Sequence, residues 1–181
     1  MTNALLKKLL KLTSDDETRD GVNMPFVVGG NIYFTDGRII AKGEAPRAKT
    51  PADPEVVFPV RDMEFRKLSG LLWPSNYDFP AVAFAENECG DFVAADPIKP
   101  AVVHPCKVGG ACIAARFINL LFRDFPDAEI EVNSPGTNIG WRSVSDGITG
   151  VIMGMRSQFN RSVWVWDLVD GGYVYLELSE Q

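Results

Sequence analysis

Asn31-Ile-Tyr-Phe-Thr-Asp-Gly-Arg-Ile-Ile-Ala41 decides how this chain is read. Two apolar runs flank Asp36-Gly37, and an Asp-Gly pair in that position signals a two-residue hairpin, because both central residues need positive φ. With Phe26-Val-Val28 ahead of it across Gly29-Gly30, the stretch predicts a three-stranded meander. N-terminal to the meander the period changes. At about 100° per residue, Leu5, Leu6, Leu9, Leu10 and Leu12 share an arc of roughly 160°, and Lys7, Lys8 and Lys11 share another of roughly 100°. Residues 4–13 are therefore expected as a helix with a core face and a basic face, followed by an acidic loop over 13–21.

C-terminal to the meander the order repeats. A loop over 45–54 leads through a strand at 56–58 into a helix expected over 62–72, capped by Asp62, with Phe65, Leu68 and Leu72 buried and Trp73-Pro74 as its stop. A hairpin is expected from 81–85 and 92–95, then a proline-punctuated stretch over 97–105. A helix over 112–125 places Ile113, Phe117, Leu120, Leu121 and Phe125 on one side, with Arg116, Asn119 and Arg123 within roughly 60° on the other. Strands are expected at 129–132, 139–144, 150–155, 162–169 and 173–178, the last two joined across Asp170-Gly171-Gly172. The pattern is α+β without regular βαβ alternation, which disfavours a doubly wound nucleotide fold. It suggests two helix-plus-meander halves forming one domain over 1–156, with a C-terminal β-hairpin extension over 157–181 packed on it.

The chain has 181 residues, with 18 Lys and Arg against 24 Asp and Glu, a formal net charge of −6. That balance disfavours a protein coated all over in nucleic acid but permits a local basic face. Three cysteines do not make a disulfide framework, and no apolar run approaches the roughly 18 residues of a membrane span. A soluble, cytoplasmic protein is expected.

Phosphate-loop, dinucleotide and nucleophile-elbow motifs are absent from the sequence. His104, the single histidine, could pair with Cys106 as base and nucleophile. Cys89, His104, Cys106 and Cys112 are zinc-ligand types, but their spacing lacks the paired pattern of a structural site, so no metal and no cofactor are predicted. Trp164 and Trp166 fall on one face of a strand, where core packing competes with a role as an interface anchor. The strongest signal is the two helices that carry basic faces on an acidic chain.

The opening helix, residues 31–41, Ala114-Ala-Arg-Phe-Ile-Asn-Leu-Leu-Phe-Arg-Asp-Phe125 and Gly150-Val-Ile-Met-Gly-Met-Arg156 together resemble a domain of the bacterial sliding clamp, the β subunit of replicative DNA polymerase. That family builds each domain with two basic helices facing the DNA and sheets outside, three such domains to a chain. The resemblance implies a non-enzymatic protein of DNA replication or repair, with Lys7, Lys8, Lys11, Arg116 and Arg123 facing DNA. A partner protein would meet Met153, Met155, Arg156, Trp164 and Trp166. The partners expected are DNA, held weakly and with salt sensitivity, or a replication or repair protein, with self-association left open and no membrane. Two alternatives stand beside this reading: a structural or phage-type interaction module using Trp164 and Trp166, and a small enzyme centred on His104 and Cys106.

Overall fold

A computed structural model describes residues 1–15, 18, 22–45, 63–73, 84–86, 92–94, 105–154 and 163–176. Among these it is a mixed α+β fold of two helices and two sheets, with most elements strands. Helix α1 spans Asn3–Leu10 and α2 spans Ala115–Asp124. The first meander is β1 (Phe26–Val28), β2 (Asn31–Thr35) and β3 (Ile39–Glu44). It shares a seven-stranded sheet with β4 (Phe65–Lys67), β9 (Glu129–Glu131), β10 (Ile139–Ser143) and β11 (Ile148–Ile152), in the order β1-β2-β3-β11-β10-β9-β4. The second sheet holds β5 (Phe84–Glu86), β6 (Phe92–Ala94), β7 (Pro105–Val108), β8 (Ala111–Ala114), β12 (Val163–Asp167) and β13 (Tyr173–Leu176). Its β12 pairs antiparallel with β13 and β5 and parallel with β7.

Alternation explains how the larger sheet faces inward. Ile39, Ala41 and Gly43 of β3 are buried while Ile40 and Lys42 are only partly so, and β11 buries Ile148, Gly150 and Ile152 in step. The join between the two meanders is the antiparallel register Ile39↔Ile152 through Lys42↔Thr149. Trp141 of β10 stands opposite Gly150, and its indole lies where a Cβ on residue 150 would be. Glycine is needed there so that Trp141 can cross the sheet, donate from Nε1 to the Ile40 carbonyl at 3.3 Å and pack on Phe125 of the α2 C-cap. One buried cluster joins Leu9 and Leu12 near α1, Phe117 and Leu121 of α2, Phe34 and Trp141 of the first sheet, and Val108 and Ile113 of the second.

Several local expectations are corrected. Residues 63–72 do not continue the α-helix expected over 62–72: β4 pairs with β9 through Phe65↔Glu131 and Lys67↔Glu129, and a 3-10 turn, Leu68–Gly70, follows. The unfilled edge of β9 offers backbone partners that outweigh a modest helical pattern; Asp62 lies outside the described residues. The stretch read as proline-punctuated ends in β7, and residues 111–114 form β8 ahead of a shorter α2, turned by Gly109-Gly110. Helix α1 stops at Leu10 rather than 13. The Asp36-Gly37 turn is wider than two residues, since Thr35 pairs with Ile40. Asp36 Oδ1 accepts from the amides of Arg38 and Ile39, at 2.8 and 2.9 Å, and this side-chain closure replaces the tight turn. The strand expected at 56–58 lies outside the described residues.

The 3-10 turn ties the sheets together. The Leu72 amide donates to the Leu168 carbonyl at 2.8 Å, and the Trp166 indole donates to the Leu72 carbonyl at 2.7 Å. No helix among the described residues is long and apolar enough to cross a membrane.

Candidate nucleic-acid interface

Helix α1 begins where Thr2 Oγ1 accepts the Leu5 amide at 3.2 Å, and Lys7 and Lys8 sit in its last turn, where the macrodipole favours cations. Lys7 is exposed and is four residues from Lys11, the C-cap, so the two share a side. On α2, Phe117, Ile118 and Leu121 are buried while Arg116, Asn119 and Arg123 are exposed. Its N-cap, Ala114, offers no side-chain acceptor, and its first turn holds no acid. The amphipathicity read from sequence is thus expressed in both helices, although Leu10 of α1 is 42% exposed.

The C-terminal ends of the helices meet at Asp124. Lys11 Nζ donates to its Oδ1 at 2.7 Å, and Arg123 Nη2 donates to its Oδ2 at 2.7 Å. Beside them the Lys8 ammonium stands 5.5 Å from the Phe125 ring centroid, within cation–π range. Burial pushes the Asp124 carboxyl up, but hydrogen bonds from Arg123 and Lys11 and their positive charge outweigh it and hold the group below its ordinary value. Arg116 is ion-paired with Asp36 and Arg123 with Asp124, yet the two arginine side chains remain 46% and 65% exposed. The cations face solvent even where a carboxylate balances them.

A cleft of about 390 Å³ lies between the C-terminal end of α1, the β2–β3 turn and the first half of α2. Lys11 and Asp15 line it from the α1 side, Asp36 and Arg38 from the β2–β3 turn, and Arg116, Phe117 and Leu120 from α2. Arg116 Nη2 is 3.6 Å from Asp36 Oδ2, a loose pair compared with the Lys11 contact. Three cations thus converge on one concave surface against two carboxylates.

Of the residues assigned to a partner protein, Met153, Trp166 and the backbone of Trp164 fall among the described residues. Met153 is 50% exposed just beyond β11, while Met155 and Arg156 lie outside the described residues. Trp164 stands in register with Tyr175 and with Phe84. Trp166 is partly buried, fixed by its bond to Leu72 and by an edge-on contact with Tyr173 at 5.2 Å between centroids. It serves as a strut between the sheets, while Tyr173 and Tyr175 on the neighbouring strand are the more exposed rings, at 43% and 39%.

Cys106 is fully buried, its thiol donating to the Ile113 carbonyl at 3.6 Å. Burial pushes it well above the ordinary thiol range, and burial takes Cys112 to about 11. A nucleophilic thiolate requires the opposite shift. His104 and Cys89 lie outside the described residues, among which no three His, Cys, Asp or Glu side chains are grouped to hold a metal ion.

Sequence reasoning passed over Arg38, Asp36 and Asp124. For Asp124 a signal existed: an acid in the last turn of a helix opposes the macrodipole and calls for a cationic partner. Arg38 carried none, because it reads as the exit of a turn and meets α2 only in space. No protein-family model, curated protein or solved structure matches the chain.

Proposed function

We propose that this chain is a non-enzymatic binding module resembling one domain of a sliding clamp, and that its α1–α2 face contacts the backbone of nucleic acid. The observation that carries the reading is the convergence of Lys11 and Arg123 on Asp124, which makes the cations of two separate helices one surface. Lys7, Lys11, Arg38, Arg116 and Arg123 are five cations on that side, against Asp15, Asp36 and Asp124. Lys8 contributes its charge from the Phe125 ring. The local excess is small and the whole chain repels a polyanion at a formal −6, so contact is weak and depends on low salt.

Fluorescence anisotropy with a labelled DNA duplex at low salt tests it. Five phosphate contacts give log affinity a fall of at most about 4.5 per decade of salt, and changing Lys7 and Arg116 together to Gln lowers that slope by about 1.8. Reversal of Lys11 to Glu is a poor probe, because it would set a second carboxylate against buried Asp124. Identical slopes for wild type and the double variant, or no binding at low salt, would discard the backbone contact.

A second reading, a protein-interaction module, draws on the exposed Tyr173 and Tyr175 of β13. Changing both to Ser weakens a partner contact on that strand and leaves the salt-sensitive duplex binding untouched.

A further inference from the structure

We propose that the cleft between Lys11, Arg38 and Arg116 is a receptor for one terminal phosphomonoester, presented by the 5′ end of a nucleic-acid strand or by a free nucleotide. The proposal rests on the nucleic-acid reading of the α1–α2 face and names what its concave part takes. A backbone phosphodiester carries one charge and runs along a surface. A terminal phosphate carries about −1.5 to −2 at pH 7 and three acceptor oxygens, which suits a pocket where three cations converge.

The residues favour such a guest. Among the described residues the Arg38 guanidinium has no ion-pair partner, although it lines the cleft. Asp36 competes poorly for the cations: its Oδ1 is committed to the amides of Arg38 and Ile39, and its Oδ2 is 3.6 Å from Arg116. The first turn of α2 adds the positive end of a helix with no acid and no side-chain cap to neutralise it. The Arg116 guanidinium is held over the Phe117 ring, 4.5 Å from its centroid, and Leu120 beside it is the partly exposed apolar side chain of the lining. The volume, about 390 Å³, falls at the small end of ligand sites, which span roughly 300–1,000 Å³. Asp15 on the lining repels a second phosphate, which sets the preference at one.

The test compares two single-stranded oligonucleotides of one sequence, one ending in a 5′-phosphate and one in a 5′-hydroxyl, with adenosine 5′-monophosphate as a third probe. Each is titrated against wild type and Arg38→Gln by anisotropy and thermal shift. A strand-end receptor binds the phosphorylated strand about tenfold more tightly, and Arg38→Gln removes that preference, while the hydroxyl strand loses only the one backbone contact that Arg38 makes, a fall of about 0.7 in its salt slope. A nucleotide receptor shows no strand preference but is stabilised by the monophosphate, again through Arg38. Equal binding of the two strands with no effect of the monophosphate overturns the cleft and leaves the basic face standing. Monophosphate binding lost in Arg38→Gln without any strand binding keeps the cleft and discards the face. A preference that survives in Arg38→Gln also overturns the proposal.

Discussion

Two lysine–carboxylate pairs in this molecule have the same length, 2.7 Å, and different surroundings. Lys107–Asp167 ties β7 to β12: the Asp167 side chain is 1% exposed, its Oδ2 takes Lys107, and its Oδ1 accepts from the amides of Val169 and Asp170 to shape the turn into β13. Lys11–Asp124 ties α1 to α2 at the rim of a cleft, where Lys11 is 49% exposed and Arg123 shares the carboxylate. The first carboxylate has both oxygens occupied by its own fold. In the second the cations keep donors turned to solvent, so an outside anion can compete for them. Distance alone does not tell which of the two pairs is open to an outside anion; the accessibility of the cation does.

The comparison breaks most readily at Asp167. Asp167→Asn leaves Lys107 without its counter-charge at a largely dry junction, and denaturant unfolding is expected to show a loss of about 3 kcal/mol. A loss no larger than that of Asp124→Asn would erase the distinction. The second test is acid. Burial raises the Asp167 carboxyl, but the hydrogen bond from Lys107, the turn amides and the Lys107 charge outweigh it, so both carboxylates are held below their ordinary value. Their stabilisation is complete above the unfolded carboxyl value of about 3.9 and is lost as pH falls through the lower folded value. Unfolding monitored by circular dichroism should therefore begin below about pH 4, with a weaker pH dependence in Asp167→Asn. The smallest effect is at Asp124: with half-exposed partners, Asp124→Asn costs about 1 kcal/mol.

What could be read from sequence divides along the same line between local and distant causes. The helix faces of α1 and α2 were legible because Leu9, Phe117 and Leu121 recur at helical spacing whatever they pack against, and the glycine-bearing turns mark hairpins by their own geometry. The error at 62–72 arose because Phe65 and Lys67 find their partners in β9, far along the chain. Strand β7 pairs in parallel with distant Trp166 and Asp167, but its antiparallel partner β8 is local, and the exception to the legible turns is Gly109-Gly110, whose second strand, residues 111–114, runs straight into α2 and shares its apolar period. Within the site, Lys11, Arg116 and Arg123 could be named from helical faces, whereas Arg38 and the Asp124 junction exist only once α1, the β2–β3 turn and α2 are folded together.

The affinity of Asp124→Asn for duplex DNA at low salt tests the central claim most directly. If the α1–α2 face contacts nucleic acid, removing its central negative charge frees Lys11 and Arg123, and the variant binds about threefold more tightly than wild type even though its fold is weaker. Binding that is unchanged, or weaker in step with stability, would contradict the claim and mark Lys11–Asp124 as a structural pair like Lys107–Asp167.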